Sequence, residues 1–429
     1  MNNNKLTQLP EPGVSGVDLI VIGGGAAGML ASAVAAQCGA RVLLLERNDR
    51  LGKKLSLTGK GRCNLTNDCD VGDVFDNIPT GGRFLYSALS GFTPGDAKEL
   101  FHSLGVPLKT ERGGRVFPKS DLASDVINAL RALMDKSGVV SRRCRVKALL
   151  TENGRITGVS SEGVRIRCDS VILATGGMSY PATGSTGDGY AMAKTLGHTV
   201  TPLRGSLVPL VAQPDICARM QGLSLRNVSM RVYDGGLKPI FEDFGELLFT
   251  HFGLSGPLAL SASAHMREFG TKTYYADIDL KPALDEKKLD LRVRRDFIKF
   301  SNREYRNSLG DLLNKTMIPV VAERSGIPLD TIVNGITREQ RLGLIRLIKQ
   351  FRVDVDGLRP IEEAIITSGG VDTDEITPKT MESKIVGGLF FAGEIINADA
   401  YTGGFNLQIA WSTAFAAGKA AGARFARPS

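Results

Sequence analysis

Histidine and cysteine are scarce in this chain, and neither is clustered: four histidines and six cysteines are spread over 429 residues. Cys38, Cys63, Cys69, Cys144, Cys168 and Cys217 form no C-x-x-C pair. That excludes the spacing of a redox disulfide, a zinc ribbon or a secreted disulfide framework. Dispersed histidines leave no metal-ligand cluster, so no metal is expected. Long apolar runs are also missing; none approaches the roughly 20 residues that span a bilayer, and no membrane partner is expected. The first seventeen residues carry no apolar stretch of the secretory kind. Residues 1–16 therefore read as a flexible tail. With 42% apolar and 23% charged residues the composition is that of an ordinary globular protein, and a reducing cytoplasm is the expected location.

What is present is concentrated between Asp18 and Glu46. Asp-Leu-Ile-Val-Ile is followed by Gly23-Gly24-Gly25-Ala26-Ala27-Gly28, an alanine-rich helix, and Arg-Val-Leu-Leu-Leu-Glu46. Gly23, Gly25 and Gly28 occupy the three positions of a dinucleotide fingerprint: tight turn, backbone approach to a pyrophosphate, close helix–strand packing. The helix N-terminus, with Ala26 and Ala27 in its first turn, offers N–H groups and the positive end of a dipole to that anion. Glu46, ending the second strand, is placed to accept ribose hydroxyls and to repel a 2′-phosphate.

Arg47 and a long polar loop follow, Leu51 to Asn67, with Lys54, Gly59, Lys60, Gly61, Arg62, Cys63 and Asn64. Its cations, hydroxyls and N–H groups suit a diphosphate and ribityl chain, and loops of this length are commonly functional. Cys63 has no evident partner histidine, so a packed thiol is the reading preferred over a nucleophile. A second buried strand, Ser170 to Ala174, ends in Thr175-Gly176-Gly177, and Gly184 to Gly189 forms another glycine loop.

From 198 to 283 short β-segments dominate, and 284–352 reads as helical, with Thr337 to Gln340 in capping-box form. That helical segment holds fifteen Lys/Arg against nine Asp/Glu of a whole-chain net charge of +8. A solvated face is the plain explanation; an anionic partner is the alternative. Near the C-terminus, Gly393-Glu394 closes a strand, and Tyr401, Gly403, Gly404, Phe405 and Asn406 lead into a second small-residue helix. Its N-terminus is suited to negative charge on a flavin ring.

Several long motifs are similar to those of one family: Leu55 to Asn67, Ala174 to Gly177, Thr183 to Tyr190, Leu248 to Pro257, Thr367 to Gly370 and Ala392 to Gln408. The chain resembles, from about 17 to 425, the bacterial BaiN/YhiN-like NAD(P)/FAD-dependent oxidoreductases, which include aminoacetone oxidase. The resemblance implies an α/β fold: a Rossmann-like FAD-binding domain of glutathione-reductase type, interrupted by a mainly β domain carrying a helical module. The expected divisions are 17–197 for the first part of the FAD domain, 198–283 for a β substrate-side domain, 284–352 for the helical module and 353–429 for the return. The glycines, Glu46, the Gly59–Asn64 loop and the Gly403–Asn406 turn become expected FAD contacts. The expected activity is hydride transfer between non-covalent FAD and a small organic substrate or NAD(P)H. A flavin-dependent RNA-modifying enzyme and a FAD-binding sensor without turnover are the alternatives. Nucleic acid is the less favoured partner, because 284–352 has few aromatics for base stacking. His251, Asn64 and Tyr401 are the candidates for a chemical role, and the oligomeric state is left open.

Overall fold

The computed structural model describes residues 5–8 and 16–426. Most of the tail expected over 1–16 lies outside the described residues. Within it, the Leu6 N–H donates to the Asp49 carbonyl (2.8 Å) and the Thr7 carbonyl accepts from the Arg143 N–H (2.9 Å). The chain divides into two units, Met1–Ser206 with Ile361–Ser429, and Leu207–Pro360.

The first unit is built on a five-stranded parallel sheet. β1 (Leu19–Ile22) is central, flanked by β2 (Val42–Glu46) and then Val140–Arg143 on one side. On the other side lie Ser170–Leu173 and Leu389–Phe391. β1, β2, Ser170–Leu173 and Leu389–Phe391 are buried throughout, as expected of parallel strands covered on both faces. The order reverses beside β1, so the C-terminal ends of β1 and Ser170–Leu173 define a switch-point crevice where such sheets bind ligands. A helix, α1 (Ala26–Gln37), follows β1 and packs on the last helix, Phe405–Gly422. Small residues set that approach: a Cβ on Gly418 would lie 2.6 Å from the Ala31 carbonyl oxygen.

The last helix also reaches the polar loop. The Trp411 indole N–H donates to the Leu65 carbonyl (2.9 Å), and its ring meets Phe101 edge-on. Gln408 accepts from Thr66 Oγ1 and donates to the Phe92 carbonyl, so a buried amide is fully used.

The second unit is a closed antiparallel barrel of six strands in the order Leu210–Ala212, Gly253–Ser255, Phe241–Thr250, Ser224–Tyr233, Tyr274–Asp279 and Phe351–Leu358. Closure removes the exposed edges that an open sheet would present. Helices Glu286–Lys299, Ile318–Arg324 and Arg338–Lys349 fall between the last two strands in sequence and add Leu289, Val293, Leu344, Ile345 and Ile348 to the barrel core. The capping box at Thr337 and Gln340 forms, with bonds of 2.9 and 3.2 Å. The return expected at 353 lies later: Phe351, Val353 and Val355 alternate inward as a barrel strand, and the first unit resumes at Ile361.

Among the described residues no helix is long and apolar enough to cross a membrane.

Candidate functional site

One cleft in the first unit holds about 1350 Å³ of space, its open mouth included, at the switch point of the sheet. The turn after β1 forms its floor, and two of the fingerprint glycines differ in why they must be glycine. A Cβ on Gly28 would overlap the Gly23 carbonyl, so Gly28 is needed for helix–strand packing. A Cβ on Gly25 would meet nothing within 4 Å, so the space above Gly25 is left open by the protein itself. Gly25 is the N-cap of α1, no side chain caps the helix, and no acid occupies its first turn. The N-terminus is therefore available to an anion approaching through that space.

Glu46 is buried at one end of the cleft, and its carboxylate is already engaged. Oε2 accepts from the Gly24 N–H (2.7 Å); Oε1 accepts from the Asn48 N–H (2.8 Å) and Nδ2 (2.7 Å). A carboxylate offers about four acceptor positions, so roughly one remains for a ribose hydroxyl while Asn48 stays in place. Asn48 also donates to the Thr183 carbonyl (2.8 Å). Arg47 reaches across to Thr186 Oγ1 (2.5 Å) and Asp188 (3.3 Å), and Arg145 meets the same carboxylate at 2.9 Å. Burial pushes the Asp188 carboxyl up, but Thr186 and the arginines outweigh it and hold it below the usual range.

At the other end Lys54 pairs with Glu394 Oε2 at 2.6 Å and donates to Ser179 Oγ at 2.7 Å. Glu394 Oε1 accepts from Ser179 Oγ (3.0 Å) and from the Thr367 N–H (2.9 Å). Thr367 Oγ1 accepts in turn from the Met178 N–H (2.8 Å). Four segments distant in sequence are joined here through one half-buried ion pair. Asn406 lines the cleft beside them and brackets Ala400, accepting its N–H (2.9 Å) and donating to its carbonyl (2.6 Å).

Of the expected cofactor contacts, Gly23, Gly25, Ala26, Ala27, Glu46, Arg47, Lys54, Thr175, Gly176, Gly393, Glu394 and Asn406 line this cleft. Gly28, Gly59, Lys60, Gly61, Arg62, Cys63, Asn64, Gly177, Gly403, Gly404 and Phe405 do not line it. The Arg62 guanidinium is turned to Glu111 (2.9 Å) and Asp121 (3.3 Å) and lies 4.1 Å over the Phe117 ring. Cys63 is fully buried, and burial pushes its thiol up to about 12, so it is neither thiolate nor accessible. Lys60 and Cys63 both have positive φ (59° and 61°), a strained backbone of the kind that gathers at functional loops. His251 belongs to the second unit, in the turn before Gly253–Ser255, with its ring against Phe252. Tyr401 sits in the first unit, its N–H bonded to the Asn77 carbonyl (2.9 Å).

Asn48, Arg145, Val146 and Ile366 also line the cleft, and sequence reasoning missed them. The parallel strand Val140–Arg143, which ends just before Arg145, carries two of them to the cleft.

Two further observations test whether a dinucleotide such as FAD fits. Space is left open at Gly25, and the helix N-terminus behind it carries no side-chain cap. An open space before free N–H groups fits the pyrophosphate of a dinucleotide. Thr175 Oγ1 and Asn64 Oδ1 are buried with no hydrogen-bond partner, the first packed against Gly189 and the second outside the lining.

The chain matches the family described as "HI0933-like protein Rossmann domain" over residues 17–420. It is 33% identical to 3-dehydro-bile acid delta(4,6)-reductase of Clostridium scindens over 411 residues, covering 94% of this chain and 98% of that protein. It is 33% identical to the ribosomal RNA dihydrouridine synthase of Escherichia coli over 404 residues, covering 93% and 96%. Among solved structures, the 3-ketosteroid-delta4-(5alpha)-dehydrogenase of Rhodococcus jostii RHA1 aligns at 17% identity with a TM-score of 0.49, covering 99% of this chain and 100% of that one.

Proposed function

This chain belongs to the HI0933-like Rossmann-domain family and is a FAD-dependent oxidoreductase; from that premise we propose that it reduces a carbon–carbon double bond conjugated to a carbonyl. Bound FAD supplies the hydride chemistry. The reading draws on the two relatives, one named for reduction of a bile-acid double bond and one for making dihydrouridine. Both reactions add a hydride and a proton across such a bond. The observation that carries the cofactor part is the open space at Gly25 before an uncapped helix N-terminus.

The residues of the cleft divide the work of holding FAD. Glu46 and Asn48 orient the adenosine ribose. The N–H groups after Gly25 take the pyrophosphate. Lys54, Glu394 and Asn406 fix the ring end, with Lys54 providing positive charge beside it. Two electrons come from a nicotinamide nucleotide in this reading, as in the expectation of an NAD(P)H donor.

A small conjugated ketone is the favoured substrate class, because the cations of the helical segment are largely committed. Arg294 and Arg341 pair with Asp290, Arg292 with Asp296, Lys299 with Asp311, and Lys349 with Asp279. A uracil ring in RNA is the second reading, favoured by the dihydrouridine-forming relative and by the net charge of +8.

Anaerobic titration of the purified yellow protein separates these readings. NADH or NADPH should bleach the visible flavin absorbance. A conjugated ketone, and not a saturated one, should then restore it. Restoration by uridine-containing RNA alone would assign the second reading, and no bleaching by either nucleotide would remove the proposed donor.

A further inference from the structure

The chain leaves the first unit after Ser206 and returns to it at Ile361. Its outgoing and returning stretches pair with each other: Arg204–Ser206 and Ile366–Ser368 form a two-stranded antiparallel ribbon, with Ser206 opposite Ile366 and Arg204 opposite Ser368. A single carboxylate reads both strands. Asp399, with no exposed surface, accepts from Ser206 Oγ (3.0 Å) through Oδ2 and from Ser368 Oγ (2.8 Å) through Oδ1. An ionised carboxylate is acceptor-only on both oxygens, so it can take a hydroxyl from each strand at once.

Asp399 lies in the loop between Gly393–Ile395 and the last helix. Ala398, its neighbour, lines the cleft, as do Ile366 of the returning strand and Asn406. Asn406 holds Ala400 from the far side. The loop is thus fixed between an amide that faces the cleft and a carboxylate that faces the ribbon. Directly after Ser206 the backbone of Leu207 takes a φ of 56°, uncommon for a bulky residue and held only where the surroundings determine it.

We propose that Asp399 is a positioning residue that couples FAD binding to the docking of the two crossing strands. The inference rests on the FAD reading of the cleft. When both serines are bonded to Asp399, the Ala398–Asn406 loop has one arrangement and the ring end of the cleft is complete. When either bond is missing, the loop and the ribbon separate in their behaviour. Linkage then requires the converse: FAD, by fixing the loop, holds the crossing strands in place.

The test compares wild-type protein, Ser206→Ala, Ser368→Ala and the double variant, with Ser368→Thr as the variant that keeps the hydroxyl. FAD dissociation constants are measured by flavin fluorescence, and trypsin cleavage after Arg204, which is exposed in the ribbon, is followed with and without saturating FAD. FAD should slow that cleavage at least tenfold in the wild type and in Ser368→Thr. In the double variant FAD binding should weaken about tenfold, and protection at saturation should fall to twofold or less. A merely structural role would accelerate cleavage in every state and leave the ratio between the FAD-bound and free forms unchanged. Equal protection in wild type and double variant would overturn the proposal. Absence of FAD binding by the wild type would instead overturn the reading of the cleft.

Discussion

Two helices in the first unit begin directly after glycines, and their glycines answer different demands. At α1 the Gly25 position faces open space, and no side chain caps the helix. At the last helix Gly404 has a φ of 101°, and a Cβ there would collide with the Thr66 backbone. Nothing of the protein fills the place at the first glycine. The second is kept because the polar loop already fills the place. A glycine motif by itself does not distinguish the two; what surrounds the missing Cβ does.

The comparison breaks most sharply with Gly404→Val and Gly28→Val. Each forces a side chain into backbone, and Gly404 also loses its left-handed conformation at a cost of about 1–2 kcal/mol. Overpacking adds about 1–3 kcal/mol, so the FAD-free protein should lose on the order of 3 kcal/mol or fail to fold. Thermal melting without cofactor measures this; an unchanged Tm at Gly404 would show that the Thr66 backbone yields.

Gly25→Val should do the opposite. The FAD-free protein should melt within about a degree of wild type, while FAD binds about a hundredfold more weakly, roughly 2.7 kcal/mol. Equal FAD affinity would mean that the pyrophosphate lies elsewhere. Glu46→Ala stands between these cases, since the carboxylate bonds the protein and, in the proposed reading, a ribose hydroxyl as well. It should weaken FAD about tenfold and also cost the FAD-free protein about 1–2 kcal/mol, from the buried Gly24 and Asn48 N–H groups left unpaired. Loss of affinity with no loss of stability would show that water satisfies those groups.

Arg62→Ala sharpens the comparison by its smallness. Its guanidinium pairs with the partly exposed Glu111 and Asp121 and lies over the face of the buried Phe117, so stability should change by at most about 1 kcal/mol. FAD affinity should stay within about twofold by equilibrium titration, as expected of an exposed ion pair that does not line the cleft. A tenfold loss would return Arg62 to the cofactor contacts.

These differences also mark what the sequence could tell. The Asp18–Glu46 unit was legible because strand, turn, helix and acid are contiguous, and each step is set by local chemistry. The pairing of Lys54 with Glu394 was not, because 340 positions separate them and only the parallel sheet brings their loops together. Arg62 was misleading for a related reason: a cation beside phosphate-binding glycines looks free until Glu111 and Asp121 arrive from a distant hairpin and helix entrance. The barrel strand Phe351–Leu358 was hidden because a helix passes into it within two residues and no turn residue intervenes. Closure of six short strands into a barrel depends on pairings among segments up to 148 positions apart, such as Leu210 with Leu358. Alternation within a strand says which side is buried but not which strand lies next to it.

Trp411 is the one tryptophan in the chain, and its placement decides what ultraviolet fluorescence can report. The indole is fully buried, bonded to the polar loop at Leu65 and set against Phe101, all within the first unit. A denaturation curve read at tryptophan wavelengths is therefore a curve for the nucleotide-binding unit alone, and melting of the barrel leaves it silent. The barrel has to be followed by a different signal, such as far-ultraviolet circular dichroism. Agreement between the two curves is then a direct test of whether the units unfold together or in turn.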